Sequence, residues 1–342
     1  MTVAGLLAVM VILLAAFALP GVNTAVRHVP VAVAGAGPSP VRLAATLDKA
    51  APGAFDVSIV ASEQASQNEI LHRDVYGAFI VEDGGLTLDT ASAASAAVAT
   101  SLTQTAQQVG TAMHLPVTVH DIRPLSPDDP KGVGLTAGAL PIALGGWLAA
   151  MGIIALIVGA WQRLIAAAAF AVGGGFTLSG TLFALGTFDQ NYWTTSAAAM
   201  LGIAGTCYFV LGFERLLRGR GIAVAALVLI LLGNPLSGLA SAPEMLPHPW
   251  GALGQFLPPG ATGTLLRNVS FFDGVAIARP VVVLIAWAIL GLAAYHLAGH
   301  LHKRRTPFDI HMDAAEIAAS APAGSGAPDH RLGRHRRGAV AP

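Results

Sequence analysis

The sequence predicts a polytopic α-helical membrane protein with six transmembrane helices and an extracytoplasmic α/β domain inserted between the first and the second. Three observations carry this. Only 11% of the 342 residues are charged and the mean hydropathy is +0.64, whereas a soluble globular chain carries about 25% charged residues. Six runs approach the length of about 20 apolar residues that a bilayer crossing needs. Between the first two of them, residues 21–134 read instead as short strands and amphipathic helices.

The expected spans are Val3–Pro20, Leu135–Ala160, Leu164–Gly186, Thr194–Phe213, Ile222–Leu239 and Val281–His300. The first has no basic flank, and Phe17-Ala18-Leu19-Pro20 makes a poor cleavage site, so it reads as an uncleaved span rather than a signal peptide. Arginines set the orientation. Arg163 follows the second span, Arg215, Arg218 and Arg220 follow the fourth, and Lys303, Arg304 and Arg305 follow the sixth. The short loop on the opposite side, TFDQNYWT, has no base and offers Tyr192 and Trp193 to an interfacial belt. The positive-inside rule then places both termini in the cytoplasm, with residues 21–134 and 233–276 outside. The tail 301–342 is rich in Ala, Gly, Pro, His and Arg, lacks apolar periodicity and is expected to be disordered, either solvated or resting on anionic lipid.

The extracytoplasmic segment is justified element by element. VPVAVAGA (Val29–Ala36) has the composition of a buried strand, and SPVRLAATLDKA (Ser39–Ala50) has an N-cap candidate in Ser39 with proline in the first turn. FDVSIVA (Phe55–Ala61) alternates as a strand does, and SEQASQNEILHR (Ser62–Arg73) is a polar helix capped by Ser62. VYGAFIVE (Val75–Glu82) and LTLDTA (Leu86–Ala91) flank the turn DGG, a hairpin signal. A longer helix over Ser92–Met113 and a last strand over Val117–Leu125 complete the order β-α-β-α-β-β-α-β, which specifies a mixed sheet with helices on one or both faces.

Composition and motifs narrow the chemistry. Net charge is zero and the pI is about 7.2, so there is no basic surface for nucleic acid. The single cysteine, Cys207, excludes an intrachain disulfide. GxxxxGK[ST], HExxH, GxSxG and CxxC are absent, so no catalytic role or cofactor is expected. Gly35 and Gly37 lack the rest of a dinucleotide fingerprint and are interrupted by Pro38 and Pro40, which suits a tight βα turn. His296 and His300 stand one helical turn apart without a third ligand in a matching position, so no metal is expected either.

Within the membrane the informative features are helix breaks and lone polar groups. In GGGFTLSGT (Gly173–Thr181), Thr177, Ser179 and Thr181 line a candidate substrate path, while the glycines equally suit close helix packing. No acid or base lies deep in any span, which disfavours ion-coupled transport. The segment GNPLSGLASAPEMLPHPW (Gly233–Trp250) contains four prolines and is too apolar for an ordinary loop. It is expected to break the fifth span at Asn234-Pro235, to form a re-entrant or surface helix around Trp250–Phe256, to turn at Pro258-Pro259-Gly260, and to enter a short helix over Thr262–Phe271. Asn234, Pro235, Pro247, Trp250, Pro258, Pro259 and Gly260 are the candidate outer gate.

These features resemble the ABC-2 type transporter permeases, and more nearly their YhgE/Pip-like (phage-infection-protein-like) branch. The resemblance rests on VPVAVAGAG, DVYGAFIVEDG, VHDIRPLSPDDPKGVG and, most specifically, GNPLSGLASAPEMLPHPWGALGQFLPPGATGTLLRN, and it covers the chain to about His302. It implies export of a hydrophobic or amphipathic substrate from the cytoplasmic membrane by a homodimer or heterodimer, in contact with membrane lipid and driven by a separate cytoplasmic ATPase subunit. Family members meet that ATPase through a helix between the second and third spans, where this chain has only Trp161–Arg163; Glu214–Gly221 is the largest expected inner loop. The alternative is a non-transporting envelope protein whose outer domain binds a protein partner.

Overall fold

The structure, a computed structural model, describes residues 26–303 apart from positions 83 and 240, together with isolated positions 7, 10, 11, 14 and 18. Those five positions are helical; the rest of the first expected span and the tail beyond residue 303 lie outside the described residues.

The α/β domain follows the order the sequence predicts: β1 (Val29–Gly35), α1 (Ser39–Ala50), β2 (Phe55–Val60), α2 (Glu63–Leu71), β3 (Gly77–Glu82), β4 (Gly85–Thr90), α3 (Ala96–Met113) and β5 (Val117–Asp121). The five strands lie in the order β2-β1-β3-β4-β5. All neighbours are parallel except β3 and β4, which form the antiparallel hairpin. Central β1 is buried on both faces, as its unbroken VPVAVAG run requires. One face packs Val31, Val33, Phe79 and Leu88 under Leu43 and Leu47 of α1 and Leu102 of α3. The other face sets Ala32 and Ala78 against Ile70 of α2.

The caps refine the sequence reading. Ser62 does cap α2, its hydroxyl accepting from the Ala65 amide at 3.2 Å. Ser39 does not cap α1: Pro38 holds that position without a side-chain bond, and Ser39 is already helical. For α3 the cap is Ser95, which accepts from the Val98 amide, so this helix starts later than Ser92.

The remaining chain is helical: α4 (Val133–Leu156), α5 (Ala160–Ala184), α6 (Tyr192–Leu217), α7 (Arg220–Ala226, continuing as a π-helix over Leu227–Gly233), α8 (Trp250–Gly254), α9 (Pro258–Phe271) and α10 (Ala278–Lys303). Three helices among the described residues are long and apolar enough to cross a membrane: α5, α6 and the Ala278–Leu301 part of α10. The apolar stretches Leu144–Leu156 and Arg220–Gly233 are shorter. The most apolar window of α6 is 67% buried against 28% for α5, which makes α6 the central helix and leaves α5 a broad exposed apolar side. Exposed apolar surface on that scale fits a lipid environment.

Several boundaries differ from the sequence expectation. WQR is not a loop but the first turn of α5, and the reversal falls at residues 157–159. Arg163 explains why so short a turn suffices: its Nε donates to the Ile157 carbonyl at 2.6 Å and its Nη2 to Ile154 at 3.0 Å, satisfying acceptors at the end of α4. Glu214–Gly221 likewise contracts to a turn at Arg218 and Gly219, closed by the Glu214 carboxylate accepting from the Gly219 amide. Pro258-Pro259-Gly260 does not form a turn; it is the first turn of α9, where proline loses no helical hydrogen bond. The fifth apolar run, by contrast, breaks where expected: its π-helix ends at Gly233 and a 3-10 turn over Pro235–Ser237 follows Asn234.

Gly212 of α6 and Gly291 of α10 meet backbone to backbone, and a Cβ on Gly212 would overlap the Gly291 carbonyl. Close approach through small residues is how apolar helices associate where lipid removes the hydrophobic drive. Gly212→Val should therefore separate α6 from α10 and lower stability by about 1–3 kcal/mol, the usual cost of overpacking. A fall in the detergent-solubilised melting temperature, with membrane insertion intact, checks it.

Candidate functional site: the cavity between the sheet and the broken hairpin

The Pro/Gly segment 233–276 joins two cores: Leu239, Ala261, Leu265, Leu266 and Val269 are buried with Leu182, Ala198, Ala199 and Leu284 of the long helices, while other residues of the segment enter the α/β domain. Ala242 and Met245 are buried in the same core as Val31, Phe79 and Leu102. Phe272, at the end of α9, is buried in the core on the opposite face of the sheet, with Ala78 and Ile70. Polar bonds fasten the same junction. The Tyr76 hydroxyl donates to Glu244 Oε2 at 2.6 Å, the Ser95 hydroxyl to the Ser241 carbonyl at 2.9 Å, and Arg123 Nη2 to Asp273 Oδ2 at 2.8 Å.

The hairpin also satisfies its own broken backbone. Gln255 Nε2 donates to the Ser237 carbonyl at 2.8 Å while its Oε1 accepts from Thr264 at 2.6 Å. Trp287 of α10 donates to the Phe256 carbonyl at 2.7 Å, and Thr195 of α6 lies 3.0 Å from Ser270 of α9, hydroxyl to hydroxyl. Irregular backbone at this depth persists only with such partners.

Between sheet and hairpin lies a cavity of about 1030 Å³, lined in part by Arg73, Tyr76, Glu244, His248, Gln255 and Arg267. Its charge is unbalanced: Arg27, Arg73, Arg267 and Arg279 face two carboxylates, Asp56 and Glu244. Arg267 is the unusual member. It is 7% exposed, and its one bond among the described residues runs from Nη2 to the Leu239 carbonyl at 3.3 Å. Burial and the like charge of Arg73 pull its pKa down to about 10, so it remains a cation at neutral pH. The Tyr76 hydroxyl moves the other way: burial first, then the adjacent Glu244 carboxylate, raise its pKa and keep it a donor. Arg73 stacks on Phe272 with its Cζ 4.7 Å from the ring centroid, which fixes the guanidinium plane but leaves its buried Nε without an acceptor. Asp89, the buried carboxylate of the sheet, accepts from Gln67 through Oδ2 at 2.8 Å, while its Oδ1 lies 3.5 Å from His120 and has no hydrogen-bond partner among the described residues.

Of the residues singled out in the sequence, Pro247 lines this cavity. Trp250 opens α8 and is about half exposed; Asn234 and Pro235 lie at the 3-10 turn where the π-helix ends; Pro258, Pro259 and Gly260 are buried at the start of α9. Thr177 and Thr181 are on the exposed side of α5 and Ser179 on its buried side, so the three do not share one face. No group of three or more His, Cys, Asp or Glu is placed to hold a metal among the described residues. Tyr76, Arg73 and Arg267 were not singled out. Arg267 carried a signal, being a lone charge in the apolar run GATGTLLRN. Searches of family models, curated proteins and solved structures find no match to this chain.

Tyr76→Phe removes the hydroxyl that donates to the Glu244 carboxylate and should destabilise the chain by about 1.5–3 kcal/mol, as for hydrogen bonds to charged groups. A double-mutant cycle with Glu244→Gln should return a coupling on the order of 1 kcal/mol or more; a coupling near zero would show that the bond contributes nothing.

Proposed function

We propose that this chain is a permease-like integral membrane subunit, akin to the ABC-2 exporters, that handles an amphipathic substrate at the outer face of the cytoplasmic membrane. In this reading the chain crosses the membrane six times with both termini inside, pairs as a dimer and works with a separate ATPase. The observation that supports it is the cavity at the foot of the α/β domain. One part of its lining is charged, and another is formed by prolines, Leu246 and Ala252 of the hairpin. A site of mixed character, next to helices of membrane-spanning length, suits a molecule with a polar head and an apolar body. Binding energy there would come from the body, and orientation from the head.

A second reading, an envelope protein whose outer domain captures a protein partner, draws support from the tightness of the two turns on the arginine-rich side, residues 157–159 and 218–219. Neither offers a helix for an ATPase to grip.

Ala252 is exposed in the cavity wall, so Ala252→Trp fills the space without entering a packed core. The permease reading predicts that a P-loop ATPase co-purifies with the tagged protein in mild detergent, and that Ala252→Trp leaves this complex intact but reduces binding of a neutral fluorescent phosphatidylcholine by about tenfold, equivalent to ~1.4 kcal/mol. Purification of an intact protein with no ATPase would favour the partner-binding reading, and unchanged lipid binding by the plugged variant would remove the cavity from either mechanism.

A further inference from the structure

We propose that the junction cavity recognises a phosphate-bearing anion, with Arg267 and Arg73 as the ligating pair, Arg27 and Arg279 at its margin, and Glu244 setting the strength of binding. The inference rests on the reading of the cavity as a ligand site and adds the chemistry of the ligand's head.

The case begins with Arg267. A guanidinium that is 7% exposed has lost most of its water, a cost that proteins normally offset with a carboxylate and a full set of acceptors. Here no ion pair to Arg267 exists among the described residues, and a single carbonyl at 3.3 Å accepts from it. Arg73 adds like-charge repulsion instead of relief. Its own Nε is buried without an acceptor, and it too forms no ion pair among the described residues. Both guanidinium groups line the same cavity.

The two carboxylates of the lining offset this charge only in part. Asp56 is engaged by His28 Nδ1 at 3.0 Å, and Glu244 Oε2 is held by the Tyr76 hydroxyl at 2.6 Å. Glu244 acts on Arg267 only at a distance, partly opposing the effects of burial and Arg73, and forms no ion pair with it among the described residues, so the guanidinium keeps donors for a ligand. Exposed Arg279 lies over Phe256, with its Cζ 4.8 Å from the ring centroid, and Arg73 over Phe272 at 4.7 Å. Planar cations held against rings at the edge of a space are preorganised to meet an anion.

The anion's shape follows from the donor set. Each guanidinium presents a planar fork that bonds two oxygens at once. Arg267 presents a buried fork and Arg73 a half-exposed one. The tetrahedrally disposed oxygens of a phosphate, three terminal in a monoester and two terminal with two bridging in a diester, can meet forks from two directions, whereas the two oxygens of a carboxylate lie in one plane. Asn268, 1% exposed and also in the lining, has a buried Oδ1 with no partner, an acceptor suited to a hydroxyl beside the phosphate. Leu246 and Pro280 complete a lining too large and too apolar for a free phosphate ion alone. The phosphate arrives either on a lipid headgroup or on a soluble ester.

The test uses the full chain in nanodiscs of phosphatidylcholine, with or without phosphatidylglycerol, read by native mass spectrometry for retained lipid, and a parallel thermal titration with inorganic phosphate in detergent. Preferential retention of phosphatidylglycerol, by about tenfold over phosphatidylcholine, supports the lipid source. Phosphate-dependent stabilisation without lipid preference supports the soluble one. In either case Arg267→Gln and Arg73→Gln should each reduce the response about tenfold, as for a lost charged hydrogen bond, and Glu244→Gln should strengthen it. The half-exposed Arg73 and Glu244 carry the test if Arg267→Gln does not fold. Equal retention of the two lipids, with no phosphate response, overturns the anion assignment and leaves the amphipath reading standing. Retention of neither lipid, with no phosphate response, overturns both, and a response that none of the three substitutions changes places the anion elsewhere.

Discussion

The seating of Met245 and Phe272 on opposite faces of one sheet is the constraint on which the rest of the structure depends. A segment carrying prolines at 235, 243, 247 and 249 cannot build a continuous helix, and its backbone needs partners. The two anchors bracket the region that contains α8 and α9, and between them α9 buries Ala261, Leu265, Leu266 and Val269 against the long helices. In return the hairpin covers parts of both sheet faces. Neither the α/β domain nor the hairpin has its full core without the other, so the junction behaves as one packed unit rather than two tethered ones.

That packing also explains the electrostatics. With α9 held at Phe272 and at the Thr195–Ser270 contact, Arg267 is 7% exposed and faces only the cavity, while Glu244 accepts from Tyr76. The unbalanced charge of the cavity is thus a product of the fold, which brings four arginines and two carboxylates together from distant stretches. Groups with strongly perturbed ionisation cluster at functional sites for this reason. Here the lowered pKa of Arg267 and the raised one of Tyr76 lie on the two sides of one cavity.

The sequence made the α/β topology legible because period-two and period-3.6 patterns alternate cleanly from Val29 to Asp121 and the DGG turn marks the single antiparallel pair. The broken hairpin was legible from its prolines, and the helix over Thr262–Phe271 from its apolar pattern, although Pro258 and Pro259 begin that helix instead of preceding it. Turn lengths were misjudged where side chains replace backbone, as Arg163 does at the end of α4. Thr177 and Thr181 drew attention as polar residues in an apolar run, yet each hydroxyl donates at 2.8 Å to a carbonyl one turn back, which lets it face an apolar exterior. The cavity was not legible at all. Its walls come from stretches around 27, 56, 73, 244–252, 264–268 and 276–280, and no local pattern announces that a β-strand tyrosine and a hairpin glutamate will meet across 168 positions.

The most direct test of this account is hydrogen exchange on the full chain in nanodiscs, comparing the wild type with Met245→Asp. If the hairpin and the sheet form one unit, burying a charge at Met245 should speed exchange of the β1 and β3 amides together with those of α9, while α5 and α6 keep their protection. If the strands remain as protected as in the wild type while only residues 243–256 loosen, the hairpin is an independent appendage, and the cavity is not the structural centre described here.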